Sequence, residues 1–520
     1  IDLYNAASGG ALTMNVDSND GDTGEITVNG NWVVGQIDIN GGTTTNNFDV
    51  TGAYTITSKS GGIEIADGGD IDLVLSGSGV TAVITNDDAT SPDVVLGNVD
   101  GDNNGAGNEA SLTVNSTGNI TIGTVDLWDS GTGGGTLTAN FDTDGGEVET
   151  LTLGSLIVGG LSLSGNGDET YTSTGALATK ASGSNISLSN FGTVTFQDDV
   201  TSAGGLSISD VTSVVLDTDT KGGNITLTAS SGDIAINTNI GAITASDNNN
   251  GHDVIFVTSG GNGDISLFGF DGDDATNGTD ADLTLNAGGS SGVVSVGAIS
   301  DTGTVTVTQS GGVTFSDTLG AATLAITDTA DSQTVSLAGN VNLTSGLTTA
   351  NGGSDNYNVS LTGASNSIAG ATTFAQGGTL TLGDGTGDST DFAGGLVATA
   401  PSSISAQGTV KADGGTGVLT LGDADTGVTV AANLLVGGTS TGTISLGDAT
   451  VADAATLTVG AGAANQIDLD AITGANGGGA VSNLTINTTG AVTVAEAVGT
   501  NMGTVTVTQS GGVTFSDTLG

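Results

Sequence analysis

The chain has no cysteine and no arginine, one histidine, two prolines and four basic residues, all lysine (Lys59, Lys180, Lys221, Lys411), in 520 residues. Without cysteine, disulfides, thiol chemistry and cysteine-based zinc sites are excluded. His252, in NNNGHDVIF, would have to serve every histidine-dependent triad and reads as a turn residue. Aromatic residues are 3% of the chain, with Trp32 and Trp128 the only tryptophans, so platforms for sugar rings are few. Paired carboxylates alone would suffice for a glycosidase. A polysaccharide-degrading β-helix, however, would ordinarily need basic residues that are nearly missing here, and the chain reads as a non-enzyme.

Positive charge is the other scarcity. Against the four lysines stand 56 acidic residues, a formal net charge of −52. Nucleic-acid affinity is built from Lys and Arg neutralising phosphates, so a nucleic-acid partner is excluded, and an anionic membrane with it. So acidic a surface repels its own copies unless screened. At seawater-like ionic strength the Debye length falls to roughly 4 Å, which favours self-association in a salty or divalent-rich medium. No apolar run approaches the length of a membrane helix, and IDLYNAASGG lacks the regions of a signal peptide. Starting at Ile1, the chain reads as processed or excised from something longer.

What is present is glycine, 91 residues of it, and 36% hydrophobic residues, chiefly small aliphatics. They recur as aliphatic-polar-aliphatic triplets such as Leu283-Thr284-Leu285, Val313-Thr314-Phe315, Leu380-Thr381-Leu382 and Val492-Thr493-Val494, bounded by Gly, Asn or Asp. Period-two alternation of β-branched residues is a strand signal, and glycine opposes helices. The Thr-Phe pairs at 195, 314, 373 and 514 lie 119, 59 and 141 residues apart, near six, three and seven multiples of about 20. The expectation is an all-β fold, an elongated parallel β-solenoid with coils of about 20 residues, each triplet turning two side chains into a thin core. Tandem β-sandwich domains are the alternative, with longer strands and a buried Trp or Tyr per domain. Residues 1–302 read as irregular coils with Asp- and Asn-rich turn insertions, and 303–520 as more regular ones.

One sentence occurs twice: GTVTVTQSGGVTFSDTLG fills 303–320 and again 503–520. Such identity points to duplication or to selection on the repeat, and at this period 200 residues would be about ten coils. Runs such as GTVTFQDDVTSAGGLSISDVTSVVLDT (192–218) and GGVTFSDTLGAATLAITDTADSQTVSL (311–337) resemble the very large secreted β-strand-repeat proteins of bacteria, akin to filamentous-haemagglutinin-type adhesins. The likeness covers nearly the whole chain in style and composition. It implies a long, exported surface or matrix fibre.

Calcium is the chemistry the acids invite. In NVDGDNNGAGNEAS, Asp100, Asp102 and Asn104 precede Gly105 as in the opening of an EF-hand loop, but the twelfth position is Ser111 and Glu109 comes two residues early. Asp271, Asp273 and Asp274, with Asp280 and Asp282 nearby, form a second candidate turn; Asp17, Asn19 and Asp22, with Asp20, form a third. The competing reading is solvated turn acids, since Asp-Gly and Asn-Gly are turn formers. The calcium β-roll nonapeptide is missed by one residue at Gly260 to Asp264. Leu-Gly-Asp steps at 382, 421 and 446 read as coil corners, and Thr304, Thr306 and Thr308 as outward strand threonines; without a long regular TxT register they do not make an ice-binding face.

The functional expectation is an extracellular or cell-surface bacterial fibre or matrix protein, built by end-to-end stacking or as part of a longer repetitive chain. Its partners would be its own copies and cell-surface or matrix glycans, and its cofactor calcium. The stalk of an adhesin and a calcium-dependent surface-layer subunit are the alternatives.

Overall fold

A computed structural model describes residues 4–5, 8–15, 25–40, 46–66, 71–76, 79–88, 90, 92–101, 110–128, 134–141, 148–238, 241–246, 251–260, 262–272, 280–350, 356–475 and 480–519. These form a parallel β-solenoid of about 18 turns with about 24 residues per turn. The chain divides into two compact units, one of Ile1–Phe268 with Asp274–Thr276, the other of Gly269–Asp273 with Asn277–Gly520.

In the first unit each turn has three short strands, and each strand pairs in parallel with the strand one turn later. Ile63 pairs with Val94 and that with Ile120; on the next side Leu73 pairs with Val99, and on the third Ala82 pairs with Leu112. Every triplet buries its outer two residues and turns its middle one outward, as Ile63–Ile65 and Val94–Leu96 do. Because the register holds from turn to turn, like side chains stack inside: Ile63, Val94, Ile120, Leu151, Tyr171, Val194, Val214 and Ile243 make one unbroken internal rank. A core one turn thick needs only small aliphatics, which accounts for a chain poor in large side chains. One short helix, Thr218–Lys221, sits at a corner, capped by the Asp217 side chain and closed by Gly222 in the left-handed region.

The second unit follows the same plan. On its first side Val313–Phe315 pairs with Thr334–Leu337 and that with Asn358–Leu361; Leu319–Ile326 and Val341–Thr349 each bend across the second and third sides. Apart from the two-residue antiparallel pair Tyr4–Asn5 with Ser8–Gly9 and a single antiparallel bridge between Trp128 and Gly134, strand pairing is parallel, which rules out stacked sandwiches among the described residues.

The turn is longer than the 20 residues the triplets imply, and the reason is visible. Thr373 and Thr514 share the third side, six register steps apart rather than seven, whereas Thr314 lies on the first side. Spacings between Thr-Phe pairs therefore mix whole turns with thirds of a turn. The duplicated block shows the same effect. Residues 305–307 run on the third side and 313–315 on the first, but 505–507 run on the second and 513–515 on the third. Nine steps separate Thr306 from Thr514, so the 200-residue repeat spans eight turns and two further sides, not ten coils. One sequence serves different sides because all three ask for the same inward aliphatic pairs.

Corners are locked by Asn and Asp. The side-chain oxygen of one turn accepts the backbone N–H of the next: Asn31 from Thr55 (2.9 Å), Asn119 from Thr150 (2.8 Å), Asp233 from Asp264 (2.9 Å), Asp331 from Asn356 (2.8 Å) and Asn433 from Thr456 (2.9 Å). Much of the chain's Asp and Asn thus satisfies amides that strand pairing leaves over at the bends.

Candidate functional site

The calcium candidates are mostly outside the described residues: Asp17, Asn19, Asp22, Asp102, Asn104, Asp273 and Asp274 all are. Asp100 is exposed at the end of Val99–Asp100, in register with Asp126 one turn on, and the Asp126 Oδ1 accepts the Trp128 N–H at 3.1 Å. Asp271 ends the strand Ile265–Asp271, half-buried. Among the described residues no group of three acidic or histidine side chains could hold a metal ion. Asp282, beside the second candidate turn, accepts the Thr304 N–H with Oδ1. Asp280 and Asp301 line a shallow hollow of about 250 Å³ with Thr302, Thr318 and Asn342. His252 is half-buried just before the strand Val254–Thr258.

The Leu-Gly-Asp steps are corners. Gly383 and Gly422 have φ of +75° and +70°, and the Asp423 Oδ1 folds back to accept the Asp425 and Thr426 N–H groups at 3.0 and 2.9 Å. An aspartate closing its own turn is poorly placed to engage a receptor. Leu421, Leu446 and Leu469 stack in register, so Asp423, Asp448 and Asp470 recur on one corner of three successive turns. Partial burial, then the neighbouring Asp448, Asp423 and Asp468, push the Asp470 carboxyl above its ordinary value. Lys411 does the reverse for Asp413, which its ammonium holds below the usual carboxylate range; Asp391 stands 3.9 Å from the same nitrogen.

One surface is built by the turns themselves. Thr304, Thr306 and Thr308 do not extend into a ladder, because Thr306 is followed one turn on by Ala325. The unbroken hydroxyl rank lies on the first side of the second unit: Ser295, Thr314, Ser336, Ser360, Thr381, Ser405, Thr429, Thr450 and Thr473 stack over nine successive turns, each facing outward. In the sequence the rank hides behind steps of 19 to 24 residues, which no fixed period aligns.

The last described turn is 502–519. Its strands pair backward with Ser482–Asn487 and Ala491–Val494, and among the described residues no strand pairs with their other side. Inward side chains are bared there: Val507 is 41% exposed and Leu519 58%, while their twins Val307 and Leu319 are fully buried. The covered block is roofed by Leu319–Ile326 and Thr334–Leu337. Sequence reasoning located this block, but only pairing tells a roofed copy from a bare one.

No protein-family model matches the chain, and neither a curated protein nor a solved structure matches it.

Proposed function

We propose that this chain is a structural fibre or matrix component, working outside a bacterial cell, whose solenoid turns extend by parallel stacking either within a longer repetitive chain or onto another copy. The observation that carries the reading is the register: turn after turn pairs in parallel, and one eighteen-residue block serves the third and first sides at 305–315 and the second and third at 505–515, because all sides take the same inward aliphatic pairs. Strands that pair this way are a template for a further turn. Its chemistry is self-complementary, since any turn of this solenoid presents matching groups. The net charge of −52 makes such stacking dependent on salt or divalent cations. Calcium is the cation proposed, bridging acidic corners.

The outward hydroxyl rank supports a second contact, with cell-surface or matrix glycans, through hydrogen bonds repeated at every turn. No catalytic role is assigned, and nucleic acid and anionic membranes are not proposed as partners.

Negative-stain electron microscopy of the purified chain, with and without millimolar calcium, tests the reading. Long uniform filaments are expected, and their loss in chelator would make the acidic corners bridging sites. Single particles under both conditions would overturn self-stacking and favour the stalk of an adhesin.

A further inference from the structure

Asn366 and Thr390 are polar residues set in an aliphatic rank. On the second side of the second unit Leu319 stacks on Val341, Val341 on Asn366, Asn366 on Thr390, Thr390 on Val410 and Val410 on Val436, all of them buried. Asn366 is 4% exposed and Thr390 3%, so neither can turn to water. Their polar atoms link three successive turns instead. The Asn366 Oδ1 accepts the Val341 N–H of the turn before at 3.0 Å, and its Nδ2 donates to the Gly363 carbonyl at 2.8 Å and to the Thr390 Oγ1 of the turn after at 3.0 Å. The third side of the same turns holds a lesser contact of this kind: the buried Thr349 Oγ1 donates to the Gln376 Oε1 at 2.7 Å and accepts the Ala375 N–H at 2.8 Å.

Stability alone does not call for such a pair. Aliphatic residues at 366 and 390 would fill the rank as Val410 and Val436 do, and a buried hydrogen bond nets little over the bonds to water that it replaces. What the pair adds is discrimination. All three sides take the same inward aliphatic pairs, and one eighteen-residue block occupies two different sets of sides, so the hydrophobic pattern leaves open which strand lies on which. If the turn after Asn366 slipped by one side, Asn366 would face Leu380 or Leu396, the inward residues of the first and third sides, in place of Thr390. An amide hydrogen would then be buried against hydrocarbon, at the full cost of desolvation. An exposed corner residue such as Asn119 bears no such penalty, because water takes the place of a lost partner.

We propose that Asn366 and Thr390 form a register lock, a buried polar pair that holds the turns of the second unit in one pairing among the several its aliphatic pattern would accept. A single buried asparagine sets register in coiled coils by the same physics. In a solenoid that extends by stacking like on like, the lock keeps the neutral majority of turns in phase from one fixed point.

The chain has no cysteine, so introduced pairs report strand pairing directly once the full chain is unfolded, refolded and oxidised. Ser365 and Ser389 are register partners with outward side chains on adjacent turns, a spacing a disulfide can bridge. Ser365 with Thr379, and Ser367 with Val397, meet only when the later turn slips by one side. In the unaltered background Ser365→Cys with Ser389→Cys should close, and the two slipped pairs should stay open. With Asn366→Val and Thr390→Val added, the thermal midpoint should hold or rise while the slipped pairs close severalfold more often. Closure of the Ser365 and Ser389 positions alone in that variant overturns the lock, and so does a fall in midpoint, which would make the pair a source of stability instead. If the double variant does not refold, Thr390→Val alone removes the Asn366 bond to the turn after and should still raise slipped closure. No rise there overturns the lock as well.

Discussion

Leu319 and Leu519 are the same residue of the same eighteen-residue block, yet the first is fully buried and the second 58% exposed. The difference is the next turn: Leu319 pairs forward with Val341, and Leu519 makes only the backward bridge to Val498. A matched pair of substitutions separates folding from assembly. Val307→Ala should lower stability by about 2 kcal/mol, the worth of a buried valine, whereas Val507→Ala should have little effect on the unassembled chain. Denaturant unfolding measures both.

Corner asparagines should act across turns. The Asn119 Oδ1 accepts the Thr150 N–H at 2.8 Å, and its Nδ2 and backbone N–H both reach the Asp93 Oδ1, at 3.0 and 3.2 Å. One residue thereby ties three turns. Asn119→Ala should destabilise by about 1 kcal/mol and speed hydrogen exchange of the Thr150 amide, with turns far along the stack unaffected. Equal acceleration everywhere would show that the corners do not act locally.

How much of this was readable beforehand depends on the physics behind each signal. The parallel solenoid was legible because triplets such as Leu283-Thr284-Leu285 alternate with period two and glycine bars helices. Turn length was not, since corners vary in size and Thr314 and Thr373 occupy different sides. The nine-residue hydroxyl rank from Ser295 to Thr473 is a property of register, which local sequence leaves open. Corner acids resemble calcium loops in composition, because Asx side chains that bind amides and those that bind cations use the same oxygens. Asp423 and Asp282 turn out to serve amides.

Stability should fall as pH rises just above the ordinary carboxyl range, for a reason located at Asp470. Its carboxyl titrates above its unfolded value, so the folded chain binds more protons in that window and the penalty persists at neutral pH. Asp470→Asn should raise the midpoint at neutral pH by about 1–2 °C, the group being partly exposed and screened. Asp413 has the opposite sign: its lowered value contributes stability above the unfolded carboxyl range that is lost as pH falls through the folded one. Thermal scans of Asp470→Asn and Asp413→Asn against pH should therefore diverge, the first flattening the neutral side of the profile and the second the acid side.

Gly422 tests whether Leu-Gly-Asp is a fold element or a recognition sequence. Its φ is +70° and a Cβ there would lie 2.3 Å from the Thr426 carbonyl oxygen, so any side chain both strains the backbone and collides with it. Asp423 closes the same corner through two backbone N–H groups. Gly422→Ala should destabilise by about 1–3 kcal/mol and loosen the turns around Leu421, read as faster hydrogen exchange there. Asp423→Glu keeps the charge but overreaches the turn, and it should lose stability as well. A receptor sequence would behave otherwise: both variants would melt like the unaltered chain and differ only in cell attachment.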